Sequence, residues 1–332
     1  MKKQVLITGA TGFYGHHLVN YILKNTDWSI AAFGRESFAG SFERIRELES
    51  YQKDPSRLRY FWHNLRSPVS SLLSRQVLAK GPVDVIYHVA ASSHVDRSIA
   101  DPLSCVFDNV IGTAHILEFA RDLPQLGKFF YFSTDEVFGS VEKKGYKFSE
   151  WDRYHAGNPY SATKAGGEEL SLAYANTYGL PVTVTHCMNI VGERQHPEKY
   201  LPKIIKCLLT GGLLTVHTHD HGKLPGKRHY IYADTVSAAL MFLTKKGKVG
   251  DKYNIEGEAE LDNLALAQYV AKRMEKKLDY KLVPGSNARP GHDFEYGISG
   301  KKMRQMGWQT PGDFWQKLDQ TIDWYVKNPH WL

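Results

Sequence analysis

The sequence predicts an α/β protein: a doubly wound parallel sheet followed by a smaller α/β domain. Short apolar runs alternate with amphipathic helical stretches from residue 4 to about residue 185. A glycine turn, Gly9-Ala10-Thr11-Gly12-Phe13-Tyr14-Gly15, joins the first run to the first helix. Beyond residue 187 the elements shorten and loops multiply. The expected division is therefore 1–186 as a dinucleotide-binding domain, with 229–245 returning to it, and 187–332 mainly as a ligand-binding domain.

The chain is long enough for one large or two moderate domains, with 332 residues. Its 42% hydrophobic and 23% charged content is that of an ordinary globular protein. No apolar run is long enough to span a membrane, and Met1-Lys2-Lys3-Gln4 runs straight into a strand, so neither a membrane partner nor a leader is expected. Cys105, Cys187 and Cys207 lack metal spacing and are too few for a disulfide framework, which leads to an expected cytoplasmic location. Net charge is +7, but its basic residues are scattered, so a phosphate-bearing small ligand is favoured over nucleic acid.

Val5-Leu6-Ile7 is the first strand, and a helix should run from Tyr14 to Lys24 with Leu18, Val19, Ile22 and Leu23 on one face. The glycine spacing suits a dinucleotide pyrophosphate. Gly9 permits the turn, Gly12 lets the amides around Thr11, Phe13 and Tyr14 approach the phosphates, and Gly15 lets the helix pack closely. The second strand, 29–33, would end in an acidic residue about 20 positions past the glycines for NAD. Instead the chain reads Phe33-Gly34-Arg35-Glu36-Ser37. Gly34 leaves room and Arg35 supplies a cation, which favours NADP within an NAD(P) assignment; alternatively Arg35 is solvated and Ser37 or Glu36 holds the ribose. The strand 58–62 leads to Asn64 and Leu65, where an adenine edge could be read. The strand 83–87 leads to Ala90 and Ala91, small enough for a close cofactor.

Asp108–Leu123 reads as a helix, and the strand 129–132 runs into Ser133-Thr134-Asp135-Glu136-Val137. Strand ends are where open parallel sheets bind ligands. Tyr160 and Lys164 follow, four apart on one face of a helix spanning 160–178. A lysine one turn from a tyrosine, together with an oxidised nicotinamide, stabilises a phenolate that can take a proton from a carbinol. The strand 181–185 closes the first domain. In the second, 201–209, 235–244, 261–278 and 314–326 are helical, and 228–234 and 253–255 contain strands. His217, His219 and His221 alternate, but glycines and Pro225 follow at once, so a solvated loop is expected and no metal site.

The chain resembles the extended short-chain dehydrogenase/reductases, and among them the dTDP-glucose 4,6-dehydratase group of nucleotide-sugar 4,6-dehydratases. The likeness covers nearly the whole length: residues 9–15, 88–91, 93–98, 109–113, 133–137, 158–161 with Lys164, 197–199 and 289–293. It implies a Rossmann domain, a homodimer formed through helices 108–123 and 160–178, and an NDP-hexose as partner. It also implies roles: Tyr160 with Lys164 and Thr134 for oxidation at C4, Glu136 as base at C5, Asp135 as acid at the C6 hydroxyl. Ser93, His94, Asn189, Lys199, Arg228, Asn254, Arg289 and His292 are implied on the substrate side. An NDP-sugar 4-epimerase, a 5,6-dehydratase and a non-enzymatic nucleotide-sugar-binding paralogue are the alternatives; the epimerase reaction needs neither carboxylate. The departures are Gly34-Arg35 for the usual acidic residue, Ser92 for a glutamate, Asn189-Ile190-Val191-Gly192 for Asn-Asn-Tyr-Gly, and Phe294-Glu295 for two arginines.

Overall fold

Val5, Leu6 and Ile7 have no exposed surface, because side chains of this strand alternate between two helix-covered faces. Val5 and Ile7 join one core with Leu18, Val19, Ile22 and Leu240, while Leu6 joins the other with Ile116, Leu117 and Phe129. The computed structural model describes residues 2–37, 39–141, 145–219, 224–284 and 297–332, with His219 by its backbone alone.

The large sheet contains β1 (Gln4–Thr8), β2 (Ser29–Gly34), β3 (Leu58–Trp62), β4 (Val85–His88), β5 (Lys128–Thr134), β6 (Val182–Cys187) and β11 (Lys252–Ile255). Their order is β11-β6-β5-β4-β1-β2-β3, all parallel. Strand order reverses between β1 and β4, and a crevice opens there outside the strand ends. The helices Phe13–Asn25 and Ala233–Lys246 cover one face; Gly112–Arg121 and Pro159–Tyr178 cover the other.

The chain's return to this sheet differs from the expected 229–245. Residues 229–232 lie in β10 (Lys227–Tyr232), the centre of a separate small sheet between β7 (Asn189–Val191) and β12 (Ala259–Asp262). The return consists of the helix Ala233–Lys246 and β11, which pairs with β6 from Lys252↔Val184 to Ile255↔Cys187. Pairing of β12 with β10 also moves the start of the helix expected over 261–278 to Asn263, where Asp262 accepts from Ala265 N at 2.7 Å as the N-cap; the helix ends at Arg273, before Glu275 at φ +52°.

His217 and His219 do not lie in a solvated loop. They belong to β8 (Leu214–His219), which pairs with β9 (Leu224–Pro225) and with β13 (Tyr280–Pro284), because Leu214 and Val216 on the alternate positions are fully buried. His221 lies outside the described residues. Among the described residues, no His/Cys/Asp/Glu group could hold a metal, and no helix is long and apolar enough to cross a membrane. The helices Tyr200–Thr210, Asn263–Arg273 and Phe314–Lys327 bury Ile204, Ile205, Val270, Leu318 and Ile322 in a core separate from those of the large sheet.

Candidate active site

The glycine turn forms an anion cradle. Gly9 has φ +69°, and a Cβ there would lie 2.7 Å from Ala90 Cα, so β1 and β4 could not end so close together with another residue. A Cβ on Gly15 would lie 2.0 Å from the Gly9 carbonyl oxygen. Gly12 N donates to that oxygen at 2.9 Å, and the first intrahelical bond is His16 N to Gly12 O at 3.1 Å. The amides of Phe13, Tyr14 and Gly15 therefore precede the helical ladder and carry the positive end of the helix dipole. These donors fit a dinucleotide pyrophosphate. Tyr14 offers its backbone only: its ring is buried and stacked on Phe132 at 4.7 Å.

The ribose end differs from expectation. The space at Gly34 is filled by Thr11, whose Oγ1 would sit 2.5 Å from a Cβ there, so this glycine accommodates the turn rather than a phosphate. Arg35 donates to Asn64 Oδ1 at 3.0 Å and pairs with Asp108 at 3.2 Å; Arg66 reaches the same carboxylate at 2.6 Å. Ser37 Oγ accepts from Gly40 N at 3.0 Å and shapes this loop. Leu65 is buried, and its carbonyl accepts from His115 Nδ1 at 2.7 Å. Ala90 N donates to Thr8 Oγ1 at 3.3 Å, and Ala91 is exposed at the crevice rim.

At the end of β5 the chain turns into a short 3-10 helix, Asp135–Phe138. The Thr134 hydroxyl donates to Asp135 Oδ1 at 3.1 Å and accepts from Glu136 N at 3.3 Å. Asp135 is buried, and its Oδ2 has no hydrogen-bond partner among the described residues. Burial first, then the neighbouring Glu136, pushes its carboxyl up to about 8. Arg228, on β10, opposes that rise, so its charge is felt at Asp135. That shift favours the protonated carboxyl.

Tyr160 sits in the first turn of the Pro159–Tyr178 helix, whose N-cap Asn158 forms a capping box with Ser161. Ser98 Oγ accepts from Tyr160 N at 3.1 Å, a tie to the 95–100 helix; Ser98 stood in the 93–98 stretch, but its role there was not foreseen. Burial and then Glu136 raise the phenol well above its ordinary value, while a hydrogen bond with Thr134 lowers it. Lys164 Nζ donates to Phe132 O at 2.6 Å and lies 4.4 Å over the Tyr131 ring; burial pulls its ammonium down to about 7. Thr134, Asp135, Glu136, Tyr160 and Lys164 therefore converge on one crevice.

Behind them His88 bridges Thr8 Oγ1 at 2.7 Å and Thr113 Oγ1 at 3.0 Å. Thr113 donates to Asn109 O, and Asn109 Nδ2 donates to Thr163 Oγ1 at 2.9 Å and to Ser92 O at 3.0 Å. Asn109 lies in a π turn, Phe107–Ile111, where one uniform helix was expected. Sequence reading missed these supporting roles, although His88 and Asn109 stood in recognised motifs.

Several residues expected on the substrate side also come together. Lys199 Nζ donates to Ser93 O at 3.2 Å, and Glu198 pairs with His94 at 3.3 Å, so residues 93–98 and 196–199 face one another. Asn189 Nδ2 reaches His229 O at 3.4 Å beside Arg228. Asn254 is a correction: it is fully buried, its Oδ1 is 2.9 Å from His186 Nδ1, and its amide nitrogen donates to Phe148 O at 3.0 Å. With both amide ends engaged inside the protein, it is a structural residue. Arg289 and His292 lie outside the described residues.

A parallel sheet with a glycine cradle at its switch point and a buried Tyr-Lys pair defines a nicotinamide-dependent short-chain dehydrogenase/reductase of the extended type. Residues 6–321 match the model of the family described as GDP-mannose 4,6 dehydratase, and the chain belongs to that family. It is 32% identical to the dTDP-glucose 4,6-dehydratase of Escherichia coli, across 99% of this chain and 95% of that protein. It is 35% identical to the low-salt glycan biosynthesis protein Agl12 of Haloferax volcanii, across 97% and 98%. The crystal structure of DesIV, a dTDP-glucose 4,6-dehydratase from Streptomyces venezuelae with NAD and TYD bound, superposes with a TM-score of 0.87 at 32% identity, covering 99% of this chain and 98% of that one.

Proposed function

We propose that the protein is an NDP-hexose 4,6-dehydratase working with a resident NAD(P). The observation that carries this reading is the Thr134-Asp135-Glu136 turn against Tyr160, with Asp135 kept as a buried acid. The oxidised nicotinamide, when bound, accepts hydride from C4 of the sugar and returns it to C6. Tyr160 removes the C4 hydroxyl proton, with Thr134 as its hydrogen-bonding neighbour and Lys164 supplying positive charge. The resulting 4-keto group acidifies C5, from which Glu136 takes a proton. Asp135 protonates the C6 oxygen as it leaves as water; once hydride has been returned to C6, Glu136 gives its proton back to C5, and the product is an NDP-4-keto-6-deoxy-hexose. Ser93, His94, Asn189, Lys199 and Arg228 bind the substrate in this reading, the cations suiting its diphosphate. Purified protein incubated with UDP-, dTDP-, CDP- and GDP-hexoses should release water from at least one, seen as a mass loss in the sugar. A 4-epimer without water loss would mean an epimerase, and an exocyclic enol product would mean a 5,6-dehydratase.

Arg35 and Arg66 share the Asp108 carboxylate, two guanidinium groups to one carboxylate beyond the end of β2, where the ribose of the cofactor is expected. That excess favours NADP over NAD, and titration of the apoprotein should give the smaller Kd for NADP. Equal affinities would mean that Arg35 serves only the ion pair.

Leu103 and Phe107 are 68% and 49% exposed on the helical side of the sheet, beside the partly exposed Val106 and Ile111. This apolar patch supports a homodimer through the helices around 108–123 and 160–178; sedimentation distinguishes it from the 37.7 kDa monomer. Three free cysteines fit a reducing cytoplasm.

A further inference from the structure

Tyr160, Lys164 and Glu168 recur every four residues on one face of the same helix. Glu168 has no exposed surface, yet its carboxylate is bound from three other segments. His186 Nε2, on β6, lies 3.1 Å from both of its oxygens, and Lys252 Nζ, on β11, lies 3.1 Å from Oε1. The Tyr154 hydroxyl donates to it from the loop that follows the Asp135–Phe138 turn. His186 is itself oriented by Asn254, whose amide nitrogen is committed to Phe148 O. Against its burial, His186, then Lys252 and the Tyr154 hydroxyl, hold the carboxyl down at about 2.

An ionic cluster of this kind is a poor device for stability alone. Desolvating the charges costs several kcal/mol per ion, and well-packed apolar replacements are often no less stable. Its charge instead acts on Lys164. The lysine's own hydrogen bond is to the Phe132 carbonyl, and Tyr131 lies beneath it. Burial favours the neutral amine there, and Glu168 is the first opposing influence, ahead of Cys105 from the 102–106 helix. His88 on β4 also feels the lysine. On the far side Asp135 and Glu136 act on Tyr160. Glu169, more exposed, reaches Lys252 at 3.9 Å.

We infer that Glu168 is a positioning residue for oxidation at C4: a carboxylate locked between His186 and Lys252 whose field keeps the Lys164 ammonium charged beside Tyr160. Its role in turnover rests on the dehydratase reading, but its effect on Lys164 does not require substrate. With lysine labelled at 13Cε and the Lys164 signal assigned by its loss in Lys164→Met, the wild-type resonance should titrate near the lowered value of about 7. In Glu168→Gln the midpoint should fall by roughly one pH unit or more, while Glu168→Asp should stay close to wild type. If Glu168→Gln does not fold, the charge-neutral pair Glu168→Gln/Lys252→Met replaces it and should show a smaller fall in the same direction. An unmoved midpoint in a folded variant would overturn the inference. In single turnovers with the accepted sugar, the alkaline limb of nicotinamide reduction should move down in parallel. Should no sugar reduce the cofactor even in wild type, the dehydratase reading fails while the lysine titration still decides the role of Glu168.

Discussion

Asp135→Asn is expected to leave oxidation at C4 intact while slowing loss of water by about a hundred- to a thousandfold, the usual contribution of a positioned general acid. In single turnovers the reduced nicotinamide should accumulate, because the C6 hydroxyl can no longer leave as water. Wild-type dehydration should fall as pH rises through about 8, where Asp135 loses its proton, and the variant should lack that limb. Stability should move the other way. A carboxyl whose folded value is raised makes its full contribution below its unfolded value near 4, and that contribution is lost progressively as pH rises to about 8. Above that pH a buried charge remains in the wild type, so Asp135→Asn should melt several degrees higher in alkaline buffer. Dehydration at the wild-type rate in the variant would assign the acid role elsewhere.

Tyr160→Phe should abolish both cofactor reduction and water loss, with activity down by at least about a thousandfold. The ring keeps its buried place, and the hydroxyl lost is the one that meets Thr134. The thermal midpoint should therefore change little, which separates loss of the base from loss of the fold. Nicotinamide reduction that survives in Tyr160→Phe would mean that another group takes the C4 proton. Glu136, the carboxylate with the largest influence on the phenol, would be the first candidate.

Much of this site could be read before any coordinates. The glycine turn works at short range: Gly9, Gly12 and Gly15 lie within one turn and one helix start, and local backbone geometry demands them. The same holds for Tyr160 and Lys164, one helical turn apart, and for the adjacent Thr134, Asp135 and Glu136. Gly34 misled because its neighbour in space is Thr11, 23 positions earlier, which fills the gap that looked open. Asn254 misled because the family resemblance placed it on the substrate side, whereas pairing of β11 with β6 turns its amide toward His186. The histidines at 217 and 219 misled because glycine and proline nearby outweighed the pairing of β8 with β13.

The sequence by itself determined the alternation of strands and helices as far as residue 187, the glycine turn and the five side chains assigned to the proposed chemistry, since each depends on residues close together in the chain. Only the tertiary structure decided the state of those groups. Burial makes Asp135 an acid and draws Lys164 toward neutrality, and burial is a property of the packed interior rather than of any motif. The anion that opposes it, Glu168, was visible four residues beyond Lys164, but its meaning required His186 and Lys252, brought to it by strands 18 and 84 residues further along.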